Sequence, residues 1–214
     1  MMTKSKTLET KLDWALMWAA HGFSVVPVHY VKPDGSCSCS QGKDCTSPGK
    51  HPAPSRWLRY QKVCADTDTL TCWFDGQYRD YNIGVVTGKV SGNVFAVDVD
   101  VAEGKLGAES LDDLCMANDD LPQTLEQITG SGGRHYLLRA PDDITIATGA
   151  NTLGDGIDTR GEGGFIVVAP SNHKSGHDYV VNAYEIEQYL RCLWLPPKRT
   201  STSSVLYQCF VKLS

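Results

Sequence analysis

Asp98 and Asp100 stand two residues apart in the run Val94-Phe95-Ala96-Val97-Asp98-Val99-Asp100-Val101. Side chains alternate along a strand. This run therefore predicts Phe95, Val97, Val99 and Val101 on one continuous core face, and Val94, Ala96, Asp98 and Asp100 on the other. Neighbouring carboxylates repel and raise each other's pKa unless a cation lies between them. A hard divalent ion such as Mg²⁺ takes carboxylate oxygens and keeps water or substrate phosphates as its other ligands. Such a pair at a strand end suits the floor of a two-metal phosphoryl-transfer site. The same pattern also arises where a strand runs out into solvent, so the pair needs company before it carries a function.

Two segments offer that company. In Thr129-Gly130-Ser131-Gly132-Gly133-Arg134-His135-Tyr136-Leu137 a glycine-rich turn leads into a strand that starts with Arg134 and His135. Glycines let backbone N–H groups approach an anion, and a His and an Arg beside them suit a triphosphate. A plain glycine hairpin reads the same way. In Gly154-Asp155-Gly156-Ile157-Asp158-Thr159-Arg160-Gly161-Glu162-Gly163-Gly164, Asp158 is a candidate third metal ligand. Arg160 would share its face in an extended segment. The alternative is an acidic surface loop.

A third cluster has different chemistry. Cys37, Cys39, Cys45 and His51 crowd into one polar stretch. Three soft thiolates and an imidazole make a structural Zn²⁺ set, and zinc would replace the apolar burial that this stretch lacks. A disulfide is the competing reading and conflicts with a reducing compartment. Lys43 and Lys50 in the loop, with Arg56 and Arg59 after it, make a reasonable nucleic-acid contact. Ser55–Lys62 reads equally as a solvated amphipathic segment. His173 and His177 read as part of a polar turn rather than a second metal pair.

The elements that must position these residues follow from periodicity and punctuation. Residues 7–21 predict a helix, with Leu12, Ala15, Leu16, Ala19 and Ala20 as its apolar stripe and Gly22 as its stop. Residues 23–30 predict a strand, 31–54 a long loop and 66–74 a short helix capped by Asp66 or Thr67. Strands are expected at 82–87 and 93–101, joined as a hairpin through Ser91-Gly92-Asn93. A helix at 105–117, strands at 124–129, 134–139 and 164–169, and a helix near 181–192 complete the set. This mixture argues α+β.

The chain has 214 residues, enough for one domain with a real core. A net charge of −5 speaks against coating nucleic acid by bulk charge, so any such contact must be local. No run of 18 apolar residues suggests a membrane span, and the N-terminus lacks a signal peptide's apolar stretch, so the expected location is the cytoplasm.

Taken in order, these segments resemble one family. CSCSQGKDCTSPGKHP, NIGVVTG, VFAVDVDV, TGSGGRHYLL and GIDTRGEGGFIVVAPSNHKSG together resemble the primase–polymerase (prim-pol) domain of the archaeo-eukaryotic primase superfamily, of the phage and plasmid replication type. The resemblance implies an RRM-like antiparallel-sheet catalytic core, a further small α/β unit and the zinc loop. It implies a catalytic domain over 7–197, with 31–54 as the inserted zinc loop. The tail at 198–214 lies outside the resemblance and is expected to be poorly ordered. It implies that Asp98, Asp100 and Asp158 bind catalytic Mg²⁺ or Mn²⁺, and that His135 contacts the incoming nucleotide's phosphates. Ser131, Arg134 and Arg160 are further nucleotide-contact candidates. The implied partners are single-stranded DNA template, primer, NTP or dNTP, and a replicative helicase.

Three other functions compete. A non-catalytic replication initiator on the same fold would bind DNA without needing an intact acidic triad. A rolling-circle nickase needs two histidines one residue apart, and the histidines at 21, 29, 51, 135, 173 and 177 supply no such pair. A small zinc interaction module would not need the acidic set.

Overall fold

The computed structural model describes residues 8–117, 120–181, 186 and 190. Helix α1 (Lys11–Ala20) starts with a reciprocal cap: Asp13 N donates to Thr10 Oγ1, and Thr10 N donates to Asp13 Oδ2, each at 3.1 Å. It buries Trp14, Ala15 and Trp18, so its core stripe is set by the two tryptophans, and Ala20 is exposed. Helix α1 packs on strands β1 (Ser24–Val28) and β2 (Asn82–Val86), with the short helix α2 (Thr67–Cys72) beside it. Asp66 caps α2 by accepting from Thr69 N at 2.8 Å.

Strands β1, β2 and β8 (Phe165–Val168) form one antiparallel sheet. A second sheet runs in the order β6 (Gly149–Gly154), β7 (Ile157–Arg160), β3 (Val94–Val99), β5 (Arg134–Arg139), β4 (Leu125–Ile128), β10 (Asp178–Val181), β9 (Ser171–Asn172). All its named pairings are antiparallel. The fold is thus α+β. Its centre, β7-β3-β5-β4 with α3 (Gly107–Ala117) linking β3 to β4, has the strand order of an RRM-like core. In chain order β6 takes the place of that arrangement's second helix, and it pairs with β7 at the sheet edge.

The expected hairpin between β2 and β3 does not form. The two strands lie in different sheets and meet only through a single bridge, Gly88 to Val94. Ser91 ties the turn to the first sheet, and Asn93 ties it to the loop that follows β5. Ser91 Oγ donates to Val86 O and accepts from Ser24 N, while Asn93 Nδ2 donates to Pro141 O and Ile144 O. The turn therefore carries the chain from one sheet to the other.

Strand β3 separates two cores. Val94 and Ala96 face the larger core shared by both sheets, with Leu125, Leu137, Ile83 and Val167. Phe95, Val97 and Val99 face a smaller one with Leu114 of α3. The expected fourth member of that face, Val101, lies past the end of the strand and is exposed, because pairing stops at Val99. The sequence from 31 to 54 holds one 3-10 turn, Gly42–Asp44, and is otherwise irregular, as expected. Strand β10 ends at Val181, where the final helix was expected to begin. Apart from Ile186 and Leu190, the rest of that helix lies outside the described residues, as does the tail at 198–214.

Candidate active site

Four strands bring four polar side chains into one row. Asp158 on β7 stands opposite Asp98 on β3, Asp98 opposite His135 on β5, and His135 opposite Gln127 on β4. Residues directly opposite in an antiparallel pair share a face and lie about 4.5–5.5 Å apart. Register alone therefore assembles residues that are distant in the chain. Arg160, two residues after Asp158, joins the same face.

The row is tied by charge and hydrogen bonds. His135 Nε2 lies 3.2 Å from Asp98 Oδ1. Arg160 reaches Asp98 Oδ2 through Nε at 3.2 Å and Nη2 at 3.1 Å, and Asp158 Oδ2 through Nη2 at 2.9 Å. Burial pushes the Asp98 carboxyl up, but the hydrogen bond from His135 and the Arg160 guanidinium outweigh it and leave the pKa lowered. Asp158 Oδ1 accepts from Asn151 N at 2.9 Å. Asp100 sits one step past the strand end. Its N–H donates to Gly156 O at 2.8 Å, and its Oδ1 accepts from Ala102 N at 3.0 Å.

These residues line a cavity of about 350 Å³ between the two sheets. Asp98, Asp100, Asp158, Arg160, His135 and Ser131 form its polar side. Phe165, Ile166 and Val167 of β8 line it from the other sheet, and Tyr179 of β10, in the same sheet as the acidic row, lines it as well. Tyr179 is buried, and its hydroxyl pKa is pushed up by that burial and by the Asp98 charge. Ser47 and Lys50 from the cysteine loop also reach this cavity. Arg134 does not. Alternation turns it to the other face of β5, where it pairs with Glu126.

The glycine-rich turn is closed by Thr129 N to Gly133 O at 2.8 Å and Gly132 N to Thr129 O at 2.9 Å. Ser131 Oγ lies 3.1 Å from Thr129 Oγ1. Gly130 leaves no room for a Cβ, which would collide with the buried His173 side chain. His173 to His177 is a turn, with His173 N donating to His177 O at 3.1 Å, and Ser175 Oγ donates to Gly130 O at 2.5 Å. The turn thus buttresses the glycine loop.

The cysteine loop forms a compact ligand set. The ligand atoms of Cys37, Cys39, Cys45 and His51 all lie within 4.8 Å of one another, the only such group of three or more among the described residues. The Cys37 and Cys45 sulfurs each lie 3.5 Å from His51 Nε2. A tetrahedral zinc with bonds of about 2.3 Å to sulfur and about 2.05 Å to nitrogen needs S···N edges of about 3.6 Å. Burial lowers the His51 pKa and so favours the neutral, ligating ring. The donors and spacing fit zinc. The acidic residues are more open, sharing the cavity rather than one tight cage.

The sequence profile of the family described as bifunctional DNA primase/polymerase, N-terminal (Prim-Pol), matches residues 15–197. The chain belongs to the Prim-Pol family. That match runs through the cysteine loop, the acidic row and the glycine turn alike. Prim-Pol proteins are primases and polymerases, nucleotidyltransferases that act on nucleotides and DNA. Comparison with curated proteins returned no match. No helix among the described residues of this Prim-Pol chain is long and apolar enough to cross a membrane.

Sequence reasoning missed Gln127, Tyr179 and the β8 wall, and gave Lys50 a different setting. Gln127 left one trace: a polar residue two after Leu125 stands on the face that a short strand should bury. Phe165 left none, because its place depends on how two sheets meet, and Tyr179 left none, because its place depends on the strand order of the larger sheet.

Proposed function

We propose that this chain catalyses template-directed nucleotidyl transfer on single-stranded DNA. It joins an incoming NTP or dNTP to a primer 3′-hydroxyl or to a first nucleotide. The row Asp158–Asp98–His135, held by pairing register at the floor of the cavity, supports this reading best. The cavity volume lies in the range of small-molecule sites.

Mg²⁺ or Mn²⁺ fits the donor set. Asp98, Asp100 and Asp158 offer hard oxygens, and Arg160 already places a positive group between Asp98 and Asp158. Divalent ions held by these three residues would stabilise the attacking and leaving oxygens. His135 carries a ring N–H toward Asp98 that can donate to a phosphate oxygen. Ser131 and Arg160 are further donors on the same side. Ile166 and Val167 from the other sheet and the buried Tyr179 complete the lining. The 3′-oxygen bonds to the α-phosphorus, the α–β bridging bond breaks, pyrophosphate leaves and the hydroxyl proton passes to solvent. Positioning and charge stabilisation carry the rate. In replication of a mobile element the domain would work beside a helicase.

The test is extension of a primed single-stranded template with labelled dNTPs or NTPs and Mg²⁺ or Mn²⁺. The wild-type chain extends it. Asp98→Ala loses at least about a hundredfold in rate while still unfolding in one cooperative transition. Extension by Asp98→Ala at the wild-type rate, or none by the wild type, rejects the reading.

A further inference from the structure

We infer that Lys50 binds the triphosphate of the incoming nucleotide, carried into the carboxylate cavity by the cysteine loop. The inference rests on nucleotidyl transfer as the reaction. Lys50 belongs to a segment some fifty residues before the acidic strand, yet it lines the same cavity as Asp98, Asp158 and His135. Besides partial burial, the groups that act on its ammonium are the carboxylates Asp98 and Asp100 and the cations Lys174 and Arg160. Its ammonium has no hydrogen bond or ion pair among the described residues, and its side chain remains exposed. An unpaired cation lining an acidic cavity is available to a ligand.

Its placement is built rather than incidental. Gly49, one residue before, has a φ of +76° and no room for a side chain: a Cβ would come within 2.9 Å of Val31 Cγ2. Its carbonyl accepts from the fully buried Asn82 Nδ2 at 3.2 Å. Asn82 also pairs with the Asn172 backbone, donating to its O at 2.9 Å and accepting from its N at 2.9 Å. Asn172 in turn brackets Val31, accepting from its N at 3.0 Å and donating to its O at 2.7 Å. Val31 bridges to Cys37, the first ligand of the zinc set, and His51, the last, follows Lys50 directly. The clamp on one side and the ligand set on the other fix the backbone of Lys50 beside the cavity.

Charge decides what such a lysine meets. Three carboxylates outnumber Lys50 and Arg160, so the cavity is negative while it holds no metal and positive once two divalent ions bind. Asp98, Asp100 and Asp158 then face the ions, and Lys50 is left to the phosphates, the groups with charge to spare. The cysteine loop is on this account an arm of the nucleotide site.

The test is equilibrium binding of dATP, ATP and AMP with Mg²⁺, without template or primer, to wild type, Lys50→Ala, Lys50→Gln and Lys50→Arg. Lys50→Ala and Lys50→Gln should weaken triphosphate binding about ten- to a hundredfold and AMP binding much less. Lys50→Arg should recover most of the loss. Zinc content and thermal transition should match the wild type throughout, since the side chain is exposed. Wild-type triphosphate affinity in Lys50→Ala and Lys50→Gln overturns the inference, as does an equal loss for AMP. If that happens while Asp98→Ala still abolishes extension, nucleotidyl transfer stands without Lys50. No triphosphate binding by the wild type overturns both.

Discussion

Gln127 Nε2 lies 2.7 Å from His135 Nδ1. The amide cannot be turned over, because its oxygen accepts from Ala169 N at 3.0 Å and its nitrogen donates to Val167 O at 2.7 Å. The nitrogen therefore also donates to His135, and Nδ1 must offer its lone pair. The ring proton then sits on Nε2, which faces Asp98. Gln127→Leu should leave Val167 O and Ala169 N buried without partners, at about 1–3 kcal/mol each. It should also free the ring. Nitrogen-15 shifts of the His135 ring should report the Nε2–H tautomer in the wild type and a mixture in the variant. An Nδ1–H tautomer in the wild type would contradict the hydrogen-bond assignment.

Arg160 spans Asp98 and Asp158, so it neutralises the pair in the metal-free chain. Arg160→Ala should lower the thermal transition by leaving the two carboxylates facing each other. Mn²⁺ should then raise that transition more in the variant than in the wild type, because the ion no longer competes with the guanidinium. Equal Mn²⁺ shifts in both would show that the ion does not bind between these carboxylates.

The cysteine loop has little apolar burial beyond its ligands. Protein purified without chelators should contain one zinc per chain, and Cys39→Ser should lose most of it. Limited proteolysis should then cut within residues 31–54, where the wild type resists. Full zinc occupancy in Cys39→Ser would remove that residue from the ligand set.

Arg56, Arg59 and Lys62 are exposed on and beside the 3-10 turn Trp57–Gln61. That turn is anchored near the cavity: Trp57 packs edge-on against Phe165 at 5.6 Å between ring centroids, and Gln61 Nε2 donates to Gly163 O at 2.5 Å. If single-stranded DNA crosses this turn, replacing each cation by Ala should reduce the slope of log K against log salt by about 0.7. An unchanged slope for all three would mark the turn as a solvated face.

Much of this architecture is legible along the chain. The alternation in 94–101 placed Asp98 on the face of Val94 and Ala96, Gly22 marked the end of α1, and Asp66 marked the start of α2. The cysteine and histidine types were enough to single out the ligand set that the fold brings together. These are local properties, set by the pleat of a strand, the pitch of a helix and the softness of a thiolate. Strands β6, β7, β9 and β10 were missed because they are short, glycine-rich or polar, with no clean alternation to reveal them. The β2–β3 hairpin failed because turn composition is local, whereas Ser91 answers to partners in β1 and β2 and Asn93 to the loop that follows β5.

By sequence alone, Asp98 and Asp100 are therefore determined only as a pair. Residue type and period two made Asp98 and Asp100 neighbours and made a cation their natural partner. Tertiary structure decided the rest: cross-strand register set Asp158, His135 and Gln127 in line with Asp98, and alternation turned Arg134 away. It also brought Lys50 from the cysteine loop to the same cavity. Pairing between strands depends on how the whole sheet shares its hydrogen bonds and buried faces, and no single segment carries that information.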